Sequence, residues 1–64
     1  MSFGEKLKER RTAAGLSQAQ VAEKVGITQA AYSGFENGIK TPSLPVACAL
    51  AQALNTTLDS LTKQ

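Results

Sequence analysis

Between residues 17 and 38 the chain carries two short amphipathic segments separated by one glycine, and that spacing leaves the backbone few choices. Ser17, with Gln20 three residues later, forms a capping-box signal that opens a helix. Ala19, Val21, Ala22 and Val25 then supply an apolar stripe at helical spacing. Gly26 ends it, because the turn needs a residue able to adopt positive φ. Ile27 is placed to pack back as a staple and Thr28 to cap a second helix over roughly residues 29 to 36. In that helix Ala31, Tyr32 and Phe35 form the inward set, with the Tyr32 hydroxyl expected near the surface. Asn37-Gly38 stops it. Two helices crossing steeply over so short a turn need a small residue at their contact, and Ala22 meets that need.

The flanking sequence reads as helix too. Ser2 and Glu5 form a capping box, and helix 1 is expected to run to about Ala14 with Gly15 as its stop. Phe3, Leu7 and Arg11 share one of its faces, and Leu16 follows the turn. Pro42 prevents helix continuation through the loop after Gly38, and Ser43 is placed to cap a helix from about Leu44 to Leu54. Pro45 suits its first turn, where no N–H bond is lost. Asn55 is a left-handed stop, and Thr57 caps a last helix of about residues 58 to 62. Leu44, Ala47, Leu50, Ala51, Leu54, Leu58 and Leu61 are expected in the core. No repeat or strand pattern is present.

At 64 residues this is one small domain, expected to cover residues 1 to 64 and to bury only roughly 60% of its unfolded-chain surface. Its only aromatic residues are Phe3, Tyr32 and Phe35, so the core must be built mainly from Leu, Val and Ala. Such a core suits packed helices. The fold class expected is all-α, with five helices.

Seven basic and five acidic residues give a net charge of +2, which favours a polyanion only where the charges cluster. All the basic residues but one (Lys6, Lys8, Arg10, Arg11, Lys24 and Lys40) lie in the first 40 positions. Glu5 and Glu9 lace helix 1 and account for part of that charge as a solvated face. Cys48 is the only cysteine and has no disulfide partner in the chain. Its Ala/Leu-rich surroundings suggest a core or near-core thiol in a reducing compartment, and with no long apolar run the expected location is cytoplasmic. The chain has no His, no base beside Cys48, no phosphate-binding Gly pattern and no metal-ligand cluster. Neither catalysis nor a cofactor, metal, membrane or small-molecule ligand is expected.

These residues carry a resemblance across nearly the whole chain. Leu7 to Gly15, Leu16-Ser17-Gln18, Val21-Ala22 with Val25-Gly26, Ile27-Thr28-Gln29, Phe35-Glu36-Asn37-Gly38, Pro42, Leu50-Ala51, Leu54, Leu58 and Leu61 resemble the helix-turn-helix domain of lambda-type phage repressors and Cro proteins, with their bacterial relatives. The resemblance implies a five-helix domain that binds double-stranded operator DNA, usually as a homodimer on a near-palindrome, with helix 3 in the major groove and half-sites ~34 Å apart. It also implies that an Arg near the end of helix 1, here Arg11, pairs with Glu36 and braces helix 3.

On that reading Gln29 is the leading base reader, because it opens helix 3 and its amide matches adenine N6 and N7. Ala30, Ser33 and Gly34 are expected to share its outward face, Gly34 departing from the polar residue common in related repressors. Phosphate contacts are expected from Ser17 and Gln18 at the start of helix 2, from Thr28, from Asn37, Gly38, Lys40 and Thr41, and from Arg11. The expected dimer seam is helix 5 with the loop before it, and an exposed apolar patch expected near Val46 and Leu58 would fit either a homodimer seam or a heterologous partner. The competing reading is a helix-turn-helix protein-interaction module, such as an antitoxin or co-regulator.

Overall fold

In the computed structural model, which describes residues 2–62, five helices follow in order: α1 (Phe3–Ala13), α2 (Gln18–Val25), α3 (Gln29–Glu36), α4 (Leu44–Ala53) and α5 (Leu58–Thr62). The local chemistry explains most of their boundaries. Both capping boxes form: Ser2 Oγ accepts from the Glu5 N–H while Glu5 Oε1 accepts from the Ser2 N–H, and Ser17 with Gln20 does the same for α2. Thr28 Oγ1 accepts from the Ala31 N–H at 3.1 Å and Thr57 Oγ1 from the Ser60 N–H at 3.1 Å. Ser43 occupies the cap position of α4 without a side-chain bond, and Pro45 sits in the first turn. Gly26 adopts φ 82°, and the Ile27 N–H donates to the Ala22 carbonyl, closing the turn between α2 and α3. Asn55 takes the left-handed conformation, at φ 55°.

Leu7, Val21, Ala22, Tyr32, Phe35, Leu50, Ala51, Leu54 and Leu61 form one core, with Phe3, Leu16, Val25, Ile27 and Val46 packed around it. The helix pair α2–α3 is held from both sides, α1 packing on α3 and α4 on α2, while α5 closes against α1 and α4. The segment singled out by its glycine spacing is therefore the middle of the molecule.

Four core expectations are corrected. Ala19 is exposed, because at 3.6 residues per turn it lies about 110° from the centre of the Val21, Ala22, Val25 stripe. Cys48 is exposed for the same reason, about 110° from the Ala47, Leu50, Ala51, Leu54 stripe. Leu44 is 66% exposed, since it opens α4 and no preceding turn shelters it. Val46, by contrast, packs against the core, and among the described residues the large exposed apolar side chains are Ile39 and Leu44. Beside Leu44 runs an open groove of about 530 Å³ walled by Phe3, Phe35, Ala47 and Leu58. Among the described residues no helix is long and apolar enough to cross a membrane.

Candidate nucleic-acid interface

The polar contacts from α1 and α2 that brace α3 converge on Glu36, at its C-terminal end. Arg11 reaches it from α1, Nε donating to Oε2 at 2.6 Å and Nη2 to Oε1 at 3.3 Å. Gln18, the first residue of α2, donates from Nε2 to Oε1 at 3.0 Å, and the Tyr32 hydroxyl donates to Oε2 at 2.6 Å. One carboxylate thus ties three helices together. Arg11 also donates from Nη1 to the Leu16 carbonyl at 2.9 Å, fastening the loop into α2 to the same cluster.

The electrostatics match this geometry. Burial opposes the charge on Glu36, yet the hydrogen bonds from Arg11, Tyr32 and Gln18 outweigh it and hold the carboxyl below its ordinary value. Burial, then the hydrogen bond to the charged Glu36, pushes the Tyr32 phenol well above its ordinary range. The Glu36 hydrogen bond raises Arg11 further, so the guanidinium stays charged. The ion pair is well sheltered, with 15% of the Arg11 side chain and 3% of the Glu36 side chain accessible.

Tyr32 departs from its expected placement: it is fully buried, its hydroxyl held by Glu36 instead of lying near the surface. Its position four residues before Glu36 on one helix was the available signal, since such pairs meet. Gln18 carried no local signal, because its partner lies 18 residues away.

At the opposite end of α3, Gln29 and Ala30 are exposed and Ser33 is half-buried, accepting from Asn37 Nδ2 at 3.3 Å. Gly34 does not share their exposure. It is buried, its position covered by the stem of Lys40. Ser17 and Thr28 are exposed caps, each already accepting one backbone N–H. Asn37, Gly38, Lys40 and Thr41 form an exposed loop beside the C-terminal end of α3. Arg11 and Gln18 are half-buried and turned toward Glu36. The residues named from sequence therefore separate into an exposed set (Ser17, Thr28, Gln29, Ala30, Asn37, Gly38, Lys40 and Thr41) and a buried or half-buried set (Arg11, Gln18, Ser33 and Gly34).

One contributor was missed. Gly4 is buried where α1 crosses the end of α3, and a Cβ there would sit on the Glu36 carbonyl oxygen and 2.7 Å from that of Phe35. A glycine inside a helix, costly to helix propensity, was the signal for a close approach.

Comparison with known proteins places this geometry. A family model described as helix-turn-helix matches residues 7–61. The SPbeta prophage-derived uncharacterized HTH-type transcriptional regulator YonR of Bacillus subtilis is 39% identical over 95% of this chain and 56% of its own length. The chain spans about half the length of the curated relatives it matches first. Among solved structures, the P22 c2 repressor in complex with a synthetic operator superimposes with a TM-score of 0.94 at 30% identity, covering 98% of this chain and 96% of that one. The restriction-modification controller protein C.AhdI of Aeromonas hydrophila does so with a TM-score of 0.89 at 39% identity, covering 92% and 89%.

Proposed function

Because this chain belongs to the helix-turn-helix family of Cro-like phage repressors and related regulators, we propose that it binds double-stranded operator DNA and represses transcription, with α3 in the major groove. The observation that carries the reading is the asymmetry of α3: its C-terminal end is locked by Glu36 while Gln29 and Ala30 stand exposed at its start. A helix anchored from behind and open in front is what groove entry requires. The P22 c2 repressor, described in complex with an operator, shares this fold over nearly its whole length.

Gln29 reads adenine through its amide, Ala30 touches a thymine methyl and Ser33 adds a base-edge hydrogen bond. Phosphates are met by the start of α2 at Ser17 and Gln18, by Thr28, and by Asn37, Gly38, Lys40 and Thr41. Gln18 donates one amide hydrogen to Glu36, and its second is free to reach a phosphate oxygen. Arg11, committed to Glu36 and Leu16, serves chiefly as a brace with a minor phosphate role. With so few base readers, the protein acts as a homodimer on a near-palindrome, adding specificity through half-site spacing and DNA shape.

The test is a titration of operator and scrambled duplexes, the operator being selected from a random pool, at several salt concentrations. Gln29→Ala should lose about 1–3 kcal/mol of operator preference with little change on scrambled DNA. Lys40→Ala should weaken both duplexes alike and reduce the salt slope by roughly one. Equal losses for Gln29→Ala on the two duplexes would remove it as a reader. Absence of duplex binding at every salt would favour an interaction module instead.

A further inference from the structure

Gly34 and Ala30 lie four residues apart on α3 and so occupy neighbouring positions on one helix face, yet Ala30 is exposed and Gly34 is buried. What covers Gly34 is Lys40: a Cβ at position 34 would meet Lys40 Cγ at 3.2 Å and Cδ at 3.3 Å. Two backbone bonds hold the covering chain in place, the Gly34 carbonyl accepting from the Ile39 N–H at 2.9 Å and from the Lys40 N–H at 3.1 Å. The chain that leaves α3 thus folds back onto the helix, and the Lys40 stem lies across the one position on this face that has no side chain.

We propose that Gly34 is a positioning residue for Lys40. Its missing side chain makes the seat on which the lysine stem rests, directing the ammonium along the edge of the α3 face that carries Ala30. The proposal rests on the DNA-binding reading above and assigns Gly34 a role there different from base contact. The anionic group met by the ammonium is a backbone phosphate, which is sequence-independent. An alanine at position 34 shifts the stem while leaving the fold intact, since the atoms its methyl group meets belong to the side chain of an exposed lysine.

The experiment combines Gly34→Ala, Lys40→Ala and the double variant, each titrated against operator and scrambled duplexes across a salt series, with thermal melts as a folding control. Gly34→Ala should bind both duplexes about threefold to tenfold more weakly, flatten the salt slope by up to about one, and melt no lower than the parent. In the Lys40→Ala background the same glycine substitution should change affinity less than about twofold, because the group it positions is gone. A changed operator-to-scrambled ratio at constant salt slope would overturn the proposal in favour of base reading. An undiminished loss in the Lys40→Ala background would overturn it as well. Nuclear Overhauser contacts between the Gly34 α-protons and the Lys40 stem in the free protein should be present, and their absence would overturn the seating independently of DNA. Failure of the parent chain to bind any duplex would overturn the functional reading, and the Lys40 role with it, while leaving those contacts in place.

Discussion

Glu36 shows how much one side chain contributes to this small molecule. It accepts from Arg11, Gln18 and Tyr32, so its removal leaves a half-buried guanidinium and a buried phenol without their acceptor. Glu36→Gln should cost about 3 kcal/mol in urea unfolding at neutral pH, the magnitude seen when one partner of a sheltered pair is lost. The effect depends on pH in a definite direction. The folded carboxyl titrates below its unfolded value of about 4.5, so its stabilisation is complete above that pH and is lost as pH falls through the folded pKa. The gap between parent and variant should therefore narrow on acidification below about 4.5, and a gap constant from pH 7 to 3 would contradict the assignment. At this scale the sequence was partly legible. The Arg11–Glu36 contact was anticipated through family resemblance, while the Gln18 and Tyr32 contacts were not. The Gln18 pairing joins two helices and depends on how they dock, which no local pattern encodes.

Caps, glycines and prolines act within a few residues of where they stand, which is why the helix boundaries were legible almost throughout. Ser2, Ser17, Thr28 and Thr57 make the bonds their positions imply, and Gly26 and Asn55 take the left-handed conformations their neighbours require. Burial was harder to read. Ala19, Leu44 and Cys48 are as apolar as their buried neighbours, but Ala19 and Cys48 lie off the buried stripe of their helices and Leu44 stands at the open start of α4. The converse case is the α1–α3 crossing at Gly4, where two backbones meet with no room for a methyl group. Gly4→Ala should destabilise by about 1–3 kcal/mol through overpacking, despite the better helix propensity of alanine. Thermal denaturation checks this: a variant melting at or above the parent would place the two helices farther apart. The two helical glycines thus predict opposite signs in a melt, Gly4 because backbone opposes a new Cβ and Gly34 because a movable lysine does.

Viewed whole, the molecule locks the C-terminal end of α3 against α1 and α2 and leaves the start of that helix exposed. Under the proposed function its base-reading residues are few, and a second copy supplies the missing discrimination. A two-fold assembly makes a geometric prediction. Half-sites about 34 Å apart present the same groove face, and inserting about five base pairs between them turns one half-site to the far side of the duplex. Affinity should fall at least about tenfold in a gel-shift titration, while about ten inserted base pairs should recover part of it. Indifference to the insertion would mean that one chain acts alone. The five-helix architecture was legible at this scale because a Leu/Val/Ala core and tightly spaced stops admit little else. The patch assigned to Val46 and Leu58 was not, since Val46 turns inward and Ile39 and Leu44 stand out instead.

The separation between the two ends of α3 has a consequence for how such a protein changes. The residues that hold the helix in place, Glu36, Tyr32 and Phe35, occupy its buried side and its last turn, whereas Gln29, Ala30 and Ser33 contribute nothing to the core. Under the proposed function, recognition and folding are thus written in different letters of one eight-residue word. On that reading a new operator preference is reachable by exchanging three side chains on an unaltered scaffold, so one frame is able to serve many addresses.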